Sequence, residues 1–251
     1  MSSYIGSFAR MEKKYVLNRD EMRRFLCAIS SKIEEDEYPR STINSIYFDT
    51  EDNKLINKSQ EKPYYKEKLR LRTYTGIVHE QTEAFAEIKK KVNGIVYKRR
   101  TAGEYGSLFK WLCGTTEAPD SEQITREIAY LLQFYGQMRP SMQIVYRRES
   151  YVAVEDHDLR ITFDTDVIWR NWSLETDGNA YGFRLLPEET VLMEVKASGK
   201  TIPLWLVREI EKHDIRPSSI SKYGEAFNLT RTLGQSSTNR YYGKERLKKY
   251  V

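Results

Sequence analysis

At 251 residues, with 39% hydrophobic and 31% charged residues and a net charge of +5, the chain can bury a substantial core as one large domain, and its charge alone defines no partner. No run of about 18 apolar residues occurs, so no transmembrane helix is expected, and the opening MSSYIGSFARMEKKY has no apolar stretch of a secretory signal. Cys27 and Cys113 stand far apart and outside any CxxC spacing, which points to a reducing, cytoplasmic address and excludes a disulfide framework or a cysteine zinc site.

A first strand is expected over Phe8 to Leu17, with Phe8, Arg10, Glu12, Lys14 and Val16 on one face. Asn18 and Glu21 stand in capping-box spacing and open a helix to about Ile33, whose apolar stripe is Met22, Phe25, Leu26 and Ile29. Residues 41–50 read as a strand, and KEKLRLRTY (66–74) as the next, with Lys68, Arg70 and Arg72 on one face and Leu69 and Leu71 on the other. In 84–101, Asn93-Gly94 predicts a two-residue hairpin turn. That turn pairs Val92 with Ile95, Lys91 with Val96, Lys89 with Lys98 and Glu87 with Arg100. Lysines at directly opposed positions repel, and an anion between them would remove the penalty.

Helices are expected over about 105–113 and 123–136, flanking a turn-rich insertion at 114–121. A strand follows Pro140. The next, LRITFDTDV, puts Arg160, Thr162 and Asp164 on one face, and TVLMEVKAS (190–198) puts Leu192, Glu194, Lys196 and Ser198 on one face. Pro203 suits the first turn of a helix to about His213, and a last helix covers 221–229. The fold class is therefore α+β: one domain over residues 1–234 and a basic tail over 235–251. Strands with one charged face are best closed into a barrel, which leaves no edges. The alternative is an open sheet with its charged face in water; the one-sign clustering favours a basic lumen.

Such a lumen needs an anion, and phosphate chains fit: arginine gives fixed bidentate hydrogen bonds to phosphate and lysine a mobile point charge. The carboxylates among the cations, Glu12, Glu87, Asp164 and Glu194, are candidates to hold Mg2+ or Mn2+ through oxygen, with Glu194 foremost. Each is also an ordinary salt-bridge partner.

The blocks ARMEKKYVL, SIYFDT, KLRLRTY, EIKKKVNGIVYKRR, VYRRESYV, LRITFDTD, LMEVKASG and SKYG occur in the order found in VTC domains. The chain resembles these polyphosphate polymerase domains of the triphosphate tunnel metalloenzyme (CYTH-like) superfamily from about residue 8 to 230. The resemblance implies a closed antiparallel tunnel of eight strands flanked by helices, with ATP as phosphoryl donor. A growing inorganic polyphosphate chain, begun on a pyrophosphate or phosphate primer, would be the acceptor. It implies that Arg70, Arg72, Lys14, Arg147 and Arg160 act on the reacting phosphates, that Lys89, Lys98 and Lys222 bind phosphate, and that Glu194 binds the metal. Lys196, Ser221, Tyr47 and Asp49 are supporting residues. From the strand faces, Lys68 and Arg100 join the phosphate set, and Glu12 and Glu87 the metal set. Members of the wider superfamily often open with ExExK; here Arg10 takes the first acidic position, which fits the polymerase branch and weakens a two-metal hydrolytic site.

GKT at 199–201 is no P-loop, because Glu194 stands where its first glycine would be. His79, His157 and His213 have no metal-ligand spacing, and Trp111, Trp169, Trp172 and Trp205 are expected in packing. The basic tail suits a disordered segment or contact with a membrane surface or a membrane partner protein; no specific nucleic acid is expected. The rival readings are a tunnel enzyme that hydrolyses or cyclises triphosphates, and a non-catalytic module that binds polyphosphate or inositol phosphate.

Overall fold

The Asn18–Glu21 pair does what its spacing dictates. Asn18 Oδ1 accepts from the Glu21 N–H at 2.8 Å, and Glu21 Oε2 accepts from the Asn18 N–H at 2.7 Å. This capping box turns β1 (Arg10–Asn18) into α1 (Arg19–Ile29). The structure, a computed structural model, describes residues 10–61, 63–93, 95–174, 178–198 and 201–235, except the side chains of Arg10 and 233–235. The first residues of the expected strand, the tail from 236 and Gly199-Lys200 lie outside them.

After α1 come β2 (Ile33–Thr50), α2 (Lys54–Gln60), β3 (Tyr65–Thr73), β4 (Glu83–Val92), β5 (Ile95–Glu104), α3 (Tyr105–Leu112), α4 (Gln123–Tyr135) and β6 (Met138–Ala153). The chain continues through β7 (Arg160–Arg170), β8 (Phe183–Arg184), β9 (Thr190–Ser198), α5 (Leu204–Lys212), β10 (Arg216–Ser218) and α6 (Lys222–Gln235). Among the described residues no helix is long and apolar enough to cross a membrane.

The β4–β5 hairpin has the register expected of Asn93-Gly94: Val92 opposite Ile95, Lys91 opposite Val96, Lys89 opposite Lys98 and Glu87 opposite Arg100. Asn93 has φ of 47°, the left-handed conformation such a turn requires; Gly94 is outside the described residues. Elsewhere, α1 ends four residues before Ile33, which instead starts β2 and pairs with Ala153. Pro140 lies inside β6, next to the register shift between Tyr47 and Phe48, where a missing N–H is tolerated. Pro203 caps α5 from outside its first turn. The short elements α2, β8 and β10 carry no periodicity strong enough to be read from sequence.

The sheet is antiparallel, with the order β10-β1-β9-β7-β6-β2-β3-β4-β5 and β8 on β7. Eight of its ten strands are long, as expected, but the eight-strand closure is not found: the hydrogen-bonded path ends at β5 and β10. The three-residue β10 pairs with β1 along Lys14–Val16, so part of the β1 edge that closure would use is taken. The sheet nevertheless curls. Lys89 Nζ of β4 lies 3.4 Å from Glu12 Oε2 of β1, although five strands separate β1 from β4 in the sheet order.

Alternation sorts the two faces. Ile161, Phe163, Val191, Met193 and Val195 pack under α1 and α5, and Ile46, Phe48, Leu69, Leu71, Ala86 and Ile88 under α3 and α4. The apolar faces are thus directed outward against helices, as the strand patterns predict. A third core joins Ile43, Met142, Ile144, Tyr146, Val167 and Trp169 to Tyr223, Ala226 and Phe227 of α6. The β6–β7 register slips between Val145 and Arg147, with Asp166 at φ 51° as the extra residue of β7. That bulge puts Val167 and Trp169 on the side of Asp164. Arg19 and Arg184 hold the Asp166 carboxylate, at 3.0 and 3.3 Å.

Candidate functional site

The polar faces of β1, β3, β4, β5, β6, β7 and β9 meet the start of α6 in a cluster made of two neighbouring groups of ion pairs. At one side is Glu87, 1% exposed. Its Oε2 accepts from Arg70 Nε at 2.7 Å, its Oε1 lies 2.6 Å from Lys98 Nζ, and Arg72 Nε stands 3.8 Å away. Arg72 Nε also donates to Ser45 Oγ at 3.1 Å and Arg70 to Tyr47 Oη at 3.2 Å. At the other side Arg148 grips Asp164 with two hydrogen bonds of 2.7 and 2.8 Å, and Lys222 Nζ reaches the same carboxylate at 2.6 Å. Between them, Glu194 pairs with Lys196 at 2.9 Å and Arg148 at 3.8 Å. Lys14 Nζ lies 4.0 Å from Glu194 and 3.8 Å from Glu12. Lys68 Nζ donates to Ser221 Oγ at 3.4 Å.

Aromatic rings brace the cations without neutralising them. Tyr47 stacks on Tyr223 at 4.3 Å, Lys222 and Arg148 lie over Tyr146 at 4.4 and 5.3 Å, and Lys68 lies over Tyr223 at 5.5 Å. Asp49 is fully buried and acts through Tyr223: its oxygens accept from the Leu55 and Ile56 N–H groups and from Tyr223 Oη at 3.1 Å.

Among the described residues, nine cations (Lys14, Lys68, Arg70, Arg72, Lys89, Lys98, Arg148, Lys196, Lys222) thus meet four carboxylates (Glu12, Glu87, Asp164, Glu194). Their electrostatics follow. Burial opposes the Glu87 charge, yet Arg70, Arg72 and Lys98 hold its pKa far below the ordinary carboxylate range. Despite burial, Lys196, Lys14 and Arg148 do the same for Glu194, and Arg148 and Lys222 for Asp164. The cations repel one another. Burial and the neighbouring lysines bring Lys68 down to about 8. Although 40% of the Lys98 side chain is exposed, desolvation of its ammonium and the charges of Arg70 and Arg72 bring it down to about 7 against the pull of Glu87. Burial raises Tyr47, but Arg70, Lys68 and Arg72 outweigh it and draw the phenol down to about 8.

A pH dependence follows from those three groups. Lys98 and Lys68 become neutral, and Tyr47 anionic, as pH rises through about 7 to 8, so the site loses positive charge in that window. Tripolyphosphate is expected to bind at least about tenfold more weakly at pH 9.5 than at pH 6.5, with net proton uptake on binding near pH 8. Calorimetry in buffers of different ionisation enthalpy measures both; an affinity flat across that range would contradict these shifts.

The structure does not bring every expected residue to the cluster. Arg147 is exposed, and its neighbour Arg148 points inward. Around this pair β6 is buried on both faces, with Gln143 and Val145 as covered as Met142 and Ile144, so alternation gives no signal for which arginine turns in. Arg160 pairs with Asp36 at 3.0 Å at the rim. Arg100 lies against the Phe85 ring at 4.4 Å. Ser221 does reach the cluster, through Lys68, while also capping α6 by accepting from the Gly224 N–H at 3.3 Å. Sequence reasoning missed Arg148, Tyr146 and Tyr223; the RR and KY dipeptides at 147–148 and 222–223 are the only local trace.

For a divalent metal the carboxylates differ. All four are paired with cations that an ion would have to displace, but the nearest stand at 2.6 Å from Glu87 and Asp164 and at 2.9 Å from Glu194. Glu194 is the better fit, with Glu12 across Lys14 and with buried Thr162, its register partner, whose hydroxyl has no hydrogen-bond partner among the described residues. No group of three or more His, Cys, Asp or Glu side chains with metal-binding geometry occurs among the described residues, so substrate oxygens would have to complete the shell, as they commonly do for magnesium.

These contacts define a class: a curled antiparallel sheet that gathers a surplus of lysine and arginine from non-adjacent strands on one face. The model of the VTC domain matches residues 9–231, and the chain belongs to that family. No curated protein matches its sequence. In structure it is similar to a candidate adenylate cyclase from Bacillus halodurans, with a TM-score of 0.55 and 12% identity over 86% of this chain and 96% of that one. Looser likenesses are to a candidate adenylate cyclase from Vibrio parahaemolyticus (TM-score 0.48, 12% identity, 89% of this chain and 99% of that one) and to the PH1819 protein of Pyrococcus horikoshii (0.46, 16%, 88% and 99%). The fold is therefore that of the CYTH-like tunnel proteins.

Proposed function

We propose that the chain is a polyphosphate polymerase that transfers the γ-phosphoryl group of ATP to the end of an inorganic polyphosphate chain and releases ADP. The surplus of five cations over carboxylates in the cluster carries this reading. Hydrolysis needs a water oriented by an available carboxylate, and all four carboxylates here are held by lysine or arginine. A terminal phosphate oxygen is already an anionic nucleophile and needs no strong base.

In the transfer, that oxygen forms a bond to the γ-phosphorus while the bond from the γ-phosphorus to the β–γ bridging oxygen breaks, and its electron pair leaves with ADP. Charge spreads over the equatorial oxygens, so catalysis is mostly positioning and electrostatics. Arg70, Arg72 and Arg148 supply fixed forks; Lys14, Lys89, Lys98, Lys196 and Lys222 supply mobile charge. Curling of the sheet into a tunnel around the chain would limit access of competing water. Glu194 with Glu12 would hold a Mg2+ or Mn2+ ion, which when bound neutralises phosphate charge.

Purified protein incubated with ATP, manganese and a pyrophosphate primer is expected to yield a ladder of long phosphate chains on a gel, and none when the metal is chelated. Free phosphate or a cyclic nucleotide as the sole product would overturn the reading in favour of a hydrolase or cyclase, and binding without turnover in favour of a phosphate-binding module.

A further inference from the structure

On β3, β4 and β5 the residues that share the face of the cation cluster come in rungs. Arg70 pairs with Glu87 and Glu87 with Arg100; one rung on, Lys68 pairs with Lys89 and Lys89 with Lys98; one rung further, Lys66 pairs with Lys91. The single carboxylate of these rungs is Glu87, already held by Arg70 and Lys98. Both rungs on the hairpin side of Glu87 therefore carry lysines with no carboxylate, three on the nearer rung and two on the outer one, where Val96 takes the third place.

The outermost rung lies beyond the cluster. Lys91 is exposed and has no ion pair among the described residues. Lys66 Nζ donates to the Ser59 carbonyl at 3.1 Å, which ties it to the end of α2. Like charges opposed across strands destabilise a sheet, and a second such rung directly follows the lysine rung of the cluster. Same-face residues along a strand repeat every ~6.6 Å, so the two rungs form steps of one basic row that runs out of the cluster. A single anion does not need such a row; a chain of phosphates does.

We infer that Lys66 and Lys91 form an outer step on which the completed part of an inorganic polyphosphate chain rests as it leaves the cluster. This rests on the polymerase reading and adds to it the direction of exit, past the start of β3 and the end of β4 beside the hairpin turn. The inner rungs suffice for a three-phosphate anion, whereas only a longer chain reaches Lys91.

The full chain and its Lys91→Glu and Lys91→Arg variants are titrated with tripolyphosphate and with polyphosphate of tens of units, at several salt concentrations. Lys91→Glu is expected to bind the long chain about tenfold more weakly, with a log K against log salt slope shallower by about one. Its tripolyphosphate affinity stays within about twofold of the parent, and Lys91→Arg behaves as the parent. The inference is overturned if Lys91→Glu binds long polyphosphate as tightly as the parent, or loses tripolyphosphate affinity to the same extent. A parent that binds neither anion overturns the polymerase reading as well, whereas a parent that binds both, beside an unaltered variant, removes only the outer step.

Discussion

Replacing Arg70 with alanine is expected to lower turnover with ATP and primer by about a thousandfold, the upper range for loss of one preorganised transition-state donor, while the protein stays folded. Arg70 reaches Glu87 at 2.7 Å and is braced by Tyr47, so its guanidinium is already oriented before substrate arrives. The fold survives because Glu87 keeps Lys98 at 2.6 Å and Arg72 at 3.8 Å. Arg70→Lys is expected to recover little, since an ammonium lacks the planar fork. Steady-state kinetics beside a thermal unfolding scan separates the two effects; an Arg70→Ala protein with full turnover would remove the cluster from the chemistry.

The larger effect on stability falls on Glu87. Glu87→Ala leaves Arg70, Arg72 and Lys98 gathered around a site with no counter-charge, and the loss is expected to be about 3–5 kcal/mol, as for other broken buried pairs. Denaturant unfolding measures it, and tripolyphosphate should restabilise the variant more than the parent, because the anion replaces the missing charge. The pH dependence has a definite sign. The folded pKa of Glu87 is depressed, so its contribution is fully present above the unfolded value of about 4.3 and is lost as pH falls towards the folded value. In Glu87→Gln the acid-dependent part of the unfolding free energy should shrink. A Glu87→Ala protein within about 1 kcal/mol of the parent would mean that water, not this carboxylate, screens the three cations.

Much of the site is written locally. Asn93-Gly94 determined the hairpin register and with it the opposed lysines Lys89 and Lys98, because a two-residue turn leaves one way to pair the strands. Alternation in KLRLRT separated Lys68, Arg70 and Arg72 from Leu69 and Leu71, which the structure buries under α3 and α4. Where a strand is covered on both faces that signal vanishes, and the choice between Arg147 and Arg148 passed to the pairing with Asp164 on the neighbouring strand.

Local patterning was thus enough for the eight long strands, most of their polar faces and the excess of positive charge on them, since a period of two and a turn dipeptide act over a few residues. Long-range packing, by contrast, is what brings Glu12 to Lys89 across the curled sheet, Lys222 to Asp164 and Tyr223 onto Tyr47, and what lays β10 on part of the edge a closed barrel would use. Those contacts join residues 58 to 204 positions apart. They depend on the twist and bulges of the whole sheet, which no short window of sequence encodes.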